Sequence, residues 1–346
     1  MRKSTAPKKT PKPLAGRVAI VAGATRGAGR GIARALAEAG ATVICTGRSV
    51  KGHPSPYKRP ETIEETAEMI TAAGGRAVAL RVDHTVESEV ADLFKRVQSD
   101  YRRLDVLVNA VAGEDPLLRQ WAPFWEAELT HADLALRQAL VSHMITAKHA
   151  APVMIKQKSG LIAEITENDI MMAGGNPLFQ TVKLALKGLV LTFATELKPH
   201  GIAVVAITPG FLRSESMLEQ HGVTEQNWRD AGKIDKNFLE SESPLFVGRA
   251  VAALAADKNV LARTGQLWSS FELARHYKFT DSDGRRPDWG KLAIDFSGLP
   301  ASLVDRFRTE TDLHLRWLEI VRARTQLFQA KIPKPKAPRT SRARQS

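Results

Sequence analysis

The sequence predicts an α/β fold in three layers: a doubly wound, mostly parallel sheet of about seven strands with helices on both faces, continued by a C-terminal helical extension. Three observations predict it. Short runs rich in Val and Ile alternate with longer stretches of helical periodicity between residues 17 and 270. Those runs are predominantly apolar, as strands covered on both faces are. The first run also ends in a cluster of glycines that opens directly into a helix, Gly23-Ala-Thr-Arg-Gly27-Ala-Gly29.

Residues 17–22 (RVAIVA) read as the first strand, and the alanine-rich residues 31–39 as the helix after it. Strand 42–46, helix 61–73, strand 77–82, helix 87–102 and strand 106–109 repeat the unit. Residues 47–60, with three prolines and no periodicity, read as a loop insertion. A long helical pattern at 130–156, strand 161–166, helix 178–199 and strand 203–208 follow, then a last pair at 244–256 and 265–270. Beyond the polar stretch 271–298, residues 300–329 form an amphipathic helix with Leu303, Phe307, Leu313, Trp317, Ile320, Val321 and Phe328 towards one side. That face packs on the body or on another subunit; a partner or a membrane interface is the alternative.

The 346 residues include 50 Lys+Arg against 37 Asp+Glu and are 43% apolar. So long and apolar a chain buries a full core, which excludes a disordered chain and a disulfide-stapled miniprotein. Cys45 is the only cysteine, and no secretory leader is read at the N-terminus. A soluble protein of a reducing compartment, the cytoplasm, is expected. No stretch reaches the roughly 18 uninterrupted apolar residues that a membrane span needs. Eleven of the thirteen net positive charges sit in residues 1–13 and 331–346, which also hold six of the 18 prolines. Both tails are expected to be disordered and solubilising. Loose adhesion to nucleic acid or to an anionic surface is their alternative role, and no specific nucleic-acid binding is expected. The body divides into a domain at 14–275 and an extension at 276–330.

A glycine turn between a strand and a helix lets the backbone approach a pyrophosphate and turns free N–H groups on it. Its spacing, G-x-x-x-G-x-G, resembles the Rossmann fold of the short-chain dehydrogenase/reductase superfamily, and further residues arrive in that family's order. Asp83, followed by His84, matches an adenine-contacting aspartate. Asn109-Ala-Val-Ala-Gly113 resembles the N-N-A-G segment with one residue inserted. Pro209, Gly210 and Ser214 match the P-G-x-x-x-T segment beside the nicotinamide. The resemblance covers about residues 14–275. Its end, Asp257 to Gly265 with Glu272-Leu-Ala-Arg275, is similar to the dehydrogenase/reductase member 1 group. It implies that Gly23, Thr25, Arg26, Gly27, Ala28, Gly29, Asp83, His84, Asn109, Lys183, Pro209, Gly210 and Ser214 bind a nicotinamide dinucleotide.

Charge argues which one. The end of the second strand reads Thr46-Gly47-Arg48-Ser49, without the acid that binds a ribose 2′-hydroxyl. Arg48 and Arg26 are instead placed to clamp a 2′-phosphate, so NADP(H) is expected ahead of NAD(H).

The resemblance also implies a catalytic tyrosine four residues before a lysine, a serine and a helix asparagine. Here Lys183 is kept, but the tyrosine position is Phe179, the serine position Glu167 with Thr166 beside it, and the asparagine position Ala139. A positioned general acid contributes ~10²- to 10⁴-fold in rate, so ordinary carbonyl reduction is compromised. Two readings stand. In one, Glu167, or His143 one turn past Ala139, moves the proton in an NADP(H)-dependent hydride transfer to a carbonyl, alcohol or enone. In the other, the chain is a catalytically silent sensor or supporting subunit. Glu167 as a plain ion-pair partner of Lys183 fits the second.

No metal site is read, since the nine histidines show no ligand cluster, and no G-x-S-x-G nucleophile motif occurs. Phe211, Leu212, Met217, Leu218, Trp228 and Phe238, with Trp121, Phe124 and Trp125, are candidates to line a pocket for a small apolar or aromatic substrate, or else are core. The family resemblance implies a homodimer or tetramer packed through the helices at 130–156 and 178–199.

Overall fold

A computed structural model describes residues 12–54, 59–112, 125–126, 128–167 and 177–289. The C-terminal amphipathic segment, Trp121, Phe124, the whole C-terminal tail and all of the N-terminal tail but Lys12 and Pro13 lie outside these residues.

Seven parallel strands form one sheet: β1 (Val18–Ala22), β2 (Thr42–Gly47), β3 (Arg76–Arg81), β4 (Val106–Asn109), β5 (Gly160–Ile165), β6 (Ile202–Thr208) and β7 (Leu267–Ser269). Their order is β3-β2-β1-β4-β5-β6-β7. β1, β4 and β6 are buried at every residue, which is why their sequences are apolar without alternation. β3 lies at an edge and mixes exposed with half-buried positions.

Helices cover both faces. α1 (Gly27–Glu38), α2 (Ile63–Ala72), α8 (Pro244–Ala256) and α9 (Ser270–Tyr277) belong with one core, built from Val21, Val108, Ala163 and Val205 on the sheet. α3 (Glu87–Asp100), α5 (Ser142–Gln157) and α6 (Pro177–Leu197) pack on the opposite core with Ile20, Leu107, Ile162 and Val204. Alternate residues of the same strands feed the two cores, as a pleated sheet requires.

The long helical pattern at 130–156 is not one helix. A short α4 (Ala132–Leu136) runs into a π-turn at Arg137–Val141 before α5 begins. Such turns carry one extra residue and re-aim the side chains around them. α6 with the following turn is long and apolar enough by composition to cross a membrane. Here Val182, Leu186, Val190, Ala194 and Leu197 are buried on its inner side. It is a core helix of this body.

The boundary drawn at residue 275 falls inside α9, two residues short of its end. α9 starts with a reciprocal capping box between Ser269 and Glu272. The chain then stays on the body: Asp281, fully buried, accepts hydrogen bonds from the Ser243 backbone N–H (2.8 Å) and hydroxyl. Trp289 meets Phe211 edge-on with ring centres 5.4 Å apart.

Candidate active site

The strand order reverses between β1 and β4, and ligands of such sheets bind where the carboxyl ends diverge. There the glycine turn and the segment after β4 touch. Gly23 has φ +85°, and a Cβ on it would fall 2.4 Å from the Ala110 carbonyl oxygen; a Cβ on Gly29 would fall 2.1 Å from the carbonyl oxygen of Gly23. No side chain fits at either place. The turn thereby brings bare backbone and the N-terminus of α1 to the edge of a cleft of about 610 Å³.

Gly23, Thr25, Arg26, Gly27, Ala28, Gly29, Arg48, Asp83, His84, Glu167, Lys183, Pro209 and Ser214 border that cleft together. Residues as far apart in sequence as Gly23 and Ser216 border it. The Gly27 N–H donates to Glu215 Oε2 at 2.7 Å, so the α1 N-terminus presents an anion-binding donor to the cleft. Glu215 stands on α7 (Glu215–Gln220), directly after Ser214. Arg26 donates to Glu61 (3.2 Å), and Arg48 lies 3.8 Å from Asp83 Oδ2. Asp83 itself is fixed by the Thr85 N–H and hydroxyl, at 2.9 and 2.7 Å.

His84 contributes differently. Its ring is buried, with Nε2 2.8 Å from the Thr46 hydroxyl and Nδ1 2.9 Å from that of Thr146. Burial, helped by the nearby His143, pushes its pKa down to about 3, so the ring is neutral.

Asn109 does not reach the cleft with its side chain. It is fully buried, and its Nδ2 donates to Glu164 Oε1 at 2.7 Å. Glu164 Oε2 lies 2.6 Å from His143 Nδ1, and His143 Nε2 lies 3.0 Å from the Val111 carbonyl oxygen. The sequence did not mark Glu164, although a carboxylate in the middle of a strand apolar on both faces was a visible signal. His143, read as a possible proton donor, is 1% exposed and holds the segment after β4. Gly210 is hemmed in too: its N–H donates to Glu242 at 2.9 Å, and a Cβ would press on Trp289.

At the other end of the cleft, Lys183 is buried on α6, its Nζ 3.3 Å from Glu167 Oε1 and 5.2 Å from the centre of the Phe179 ring. Thr166 borders the cleft as well, and its hydroxyl donates to the Lys183 carbonyl at 3.4 Å. Ala139 is buried inside the π-turn, and its neighbour Gln138 faces the cleft instead.

Most of the apolar lining candidates turn out to be core. Trp228 and Phe238 are buried, with Phe211, Met217 and Leu218 packed against them; Leu212 alone of the six borders the cleft. Trp125 is 72% exposed. Among the described residues no three metal-ligating side chains come together.

The model of the short-chain dehydrogenase family matches residues 17–223, which carry the glycine turn, Lys183 and the Pro209–Gly210 loop. The chain belongs to the short-chain dehydrogenase family. It is similar to dehydrogenase/reductase SDR family member 1 of Mus musculus (35% identity over 79% of this chain and 85% of that protein) and of Homo sapiens (34%, the same shares). Among solved structures it resembles a Beutenbergia cavernae chain with NADP bound at low occupancy, at TM-score 0.60 and 25% identity over 75% of this chain and 97% of that one. It also resembles a metagenomic short-chain oxidoreductase in complex with NADP, at TM-score 0.54 and 26% identity over 71% and 94%.

Proposed function

We propose that this short-chain dehydrogenase family member binds NADP(H) and transfers a hydride between it and a small apolar or aromatic carbonyl, alcohol or enone, with Glu167 taking the proton-transfer place of the missing phenol. One observation carries the reading: the Lys183 ammonium and the Glu167 carboxylate stand 3.3 Å apart on the wall of the cleft that the glycine turn opens. The turn supports a dinucleotide by its bare backbone, and Arg26 and Arg48 support a 2′-phosphate by their charge. The NADP held by both structural relatives agrees with that choice. The bound nicotinamide supplies the hydride donor or acceptor. Lys183, buried on the cleft wall, would hold a hydroxyl-bearing group of the cofactor and would lend its positive charge to the reaction. Glu167, side chain 45% exposed, exchanges protons with solvent and passes them inward, or solvent itself protonates an enone carbon.

The silent-subunit reading has an observation of its own: the Phe179 ring fills the place of the phenol, and Glu167 neutralises the lysine. NADPH oxidation measured against ketones, quinones and enones separates the two. Activity that falls in Glu167→Gln and Lys183→Ala supports catalysis; inert wild type that still binds cofactor supports the silent reading. Met144 on α5 and Leu184 on α6 are exposed apolar side chains and support assembly through those helices. Cys45, buried, with its thiol pushed up to about 12, suits a reducing compartment such as the cytoplasm.

A further inference from the structure

The insertion at 47–60 delivers a third guanidinium to the cleft. Arg59 borders it together with Thr25, Arg26, Arg48 and Ser49. Its Nε donates to Glu61 at 3.1 Å (Oε1) and 3.0 Å (Oε2), its Nη2 to Oε1 at 2.5 Å, and its Nη1 to Glu219 at 2.6 Å. Glu61 Oε2 also accepts from Arg26, so one carboxylate fixes two cleft guanidiniums.

We infer that Arg59 is a determinant of cofactor choice that reads the 2′-phosphate of NADP(H) beside Arg26 and Arg48, and that Glu61 is the positioning residue that aims it. The inference rests on the NADP(H) reading above.

The roles of the two acids separate on exposure. A carboxylate that selects NAD(H) must reach the ribose hydroxyls. The Glu61 side chain is only 7% exposed, both its oxygens accept from guanidiniums, and unlike Arg59 and Arg26 it does not border the cleft. It cannot serve the ribose; it holds the arginines. Burial works to raise its pKa, yet the Arg59 guanidinium and then Arg26 hold it below the usual carboxylate range, so it stays charged. Glu219, by contrast, is 71% exposed on α7, and an exposed ion pair is weak. Nη1 is therefore the donor that a phosphate dianion takes over while Nε and Nη2 stay on Glu61. A planar guanidinium suits this divided task, and a lysine does not.

The experiment is fluorescence titration of the full chain with NADPH and with NADH, for wild type, Arg59→Gln, Arg59→Lys and Glu61→Gln. Wild type should bind NADPH more tightly. Arg59→Gln should weaken NADPH by ~10-fold or more and NADH by less than about twofold. Glu61→Gln should weaken NADPH in the same selective way, by a smaller factor. Arg59→Lys, which keeps a cation opposite Glu61, should lie between wild type and Arg59→Gln and decides the matter if Arg59→Gln does not fold. Wild type that prefers NADPH, with a ratio unchanged in the Arg59 variants, overturns the role of Arg59 and leaves the cofactor reading intact. Equal weakening of both cofactors overturns it as well. Wild type that prefers NADH removes the reading beneath it, and the inference falls too.

Discussion

Lys183 Nζ lies 3.3 Å from Glu167 Oε1, and the Phe179 ring, one helical turn before the lysine, covers the same ammonium. The ammonium that would act on a phenol at position 179 is thus in place. Phe179→Tyr adds one oxygen to a ring already over Lys183, which would lower the phenol pKa and let it donate to a carbonyl oxygen. Ketone reduction by NADPH is expected to rise by ~10²-fold or more, read as absorbance loss at saturating cofactor. No gain would mean that position 179 does not meet the reacting oxygen.

Glu215 occupies an anion site. Its carboxylate accepts from the Gly27 N–H at 2.7 Å and lies 3.4 Å from Arg30, where a dinucleotide would place its pyrophosphate. Cofactor binding must displace it against like-charge repulsion. Glu215→Gln is expected to tighten NADPH by ~3- to 10-fold, since the amide competes for the N–H without a charge. A dissociation constant that rises instead would show that Glu215 supports the bound state.

These residues differ in how legible they were. The strands were readable because burial on both faces forces unbroken apolar runs, and the glycine turn because only glycine permits the approach of Gly23 to Ala110. Lys183, Glu167 and Phe179 were placed by the family resemblance, whose motif positions fall within one strand-helix unit. Arg59 was not, since a proline-rich loop has no period from which to infer where a side chain points. Glu215 meets Gly27 across 188 residues, a contact without local trace. The π-turn was hidden because the apolar pattern of 130–156 continues through the one extra residue that re-aims Ala139.

Glu242 gives the fold a pH dependence. It is buried beneath the Pro209–Gly210 loop, with Oε2 accepting from Ser270 (2.5 Å) and the Gly210 N–H, and with Arg213 and Asp281 as the nearby charges. Burial raises its pKa from 4.5 to about 8. Unfolded, the group loses its proton near the lower value; folded, it keeps it to the higher. The folded state thus holds the extra proton between these limits, and this contribution to stability falls as pH rises from about 4.5 to about 8. Melting temperatures of wild type across pH 5 to 9 should decline relative to those of Glu242→Gln, which lacks the titration. Parallel curves would mean that Glu242 is ionised in the fold.

His143 and Glu164 form a pair that cannot be cut on one side. Both side chains are essentially unexposed, and their contact at 2.6 Å lies between β5 and α5, linked onward to Asn109 and the Val111 carbonyl. His143→Ala leaves the Glu164 carboxylate buried with Asn109 as its remaining neighbour in this chain of contacts, and an uncompensated buried charge costs about 3–5 kcal/mol. Replacing Glu164 by Gln in that background removes the charge while keeping the acceptor for Asn109, and should recover most of the loss. Urea unfolding of the two single variants and the double variant measures the coupling. If His143→Ala alone costs under about 1 kcal/mol, the contact is worth no more than a neutral hydrogen bond. In the charged case, the double variant should restore stability but not cofactor affinity, because the Val111 carbonyl still lacks the imidazole that fixes the cleft edge.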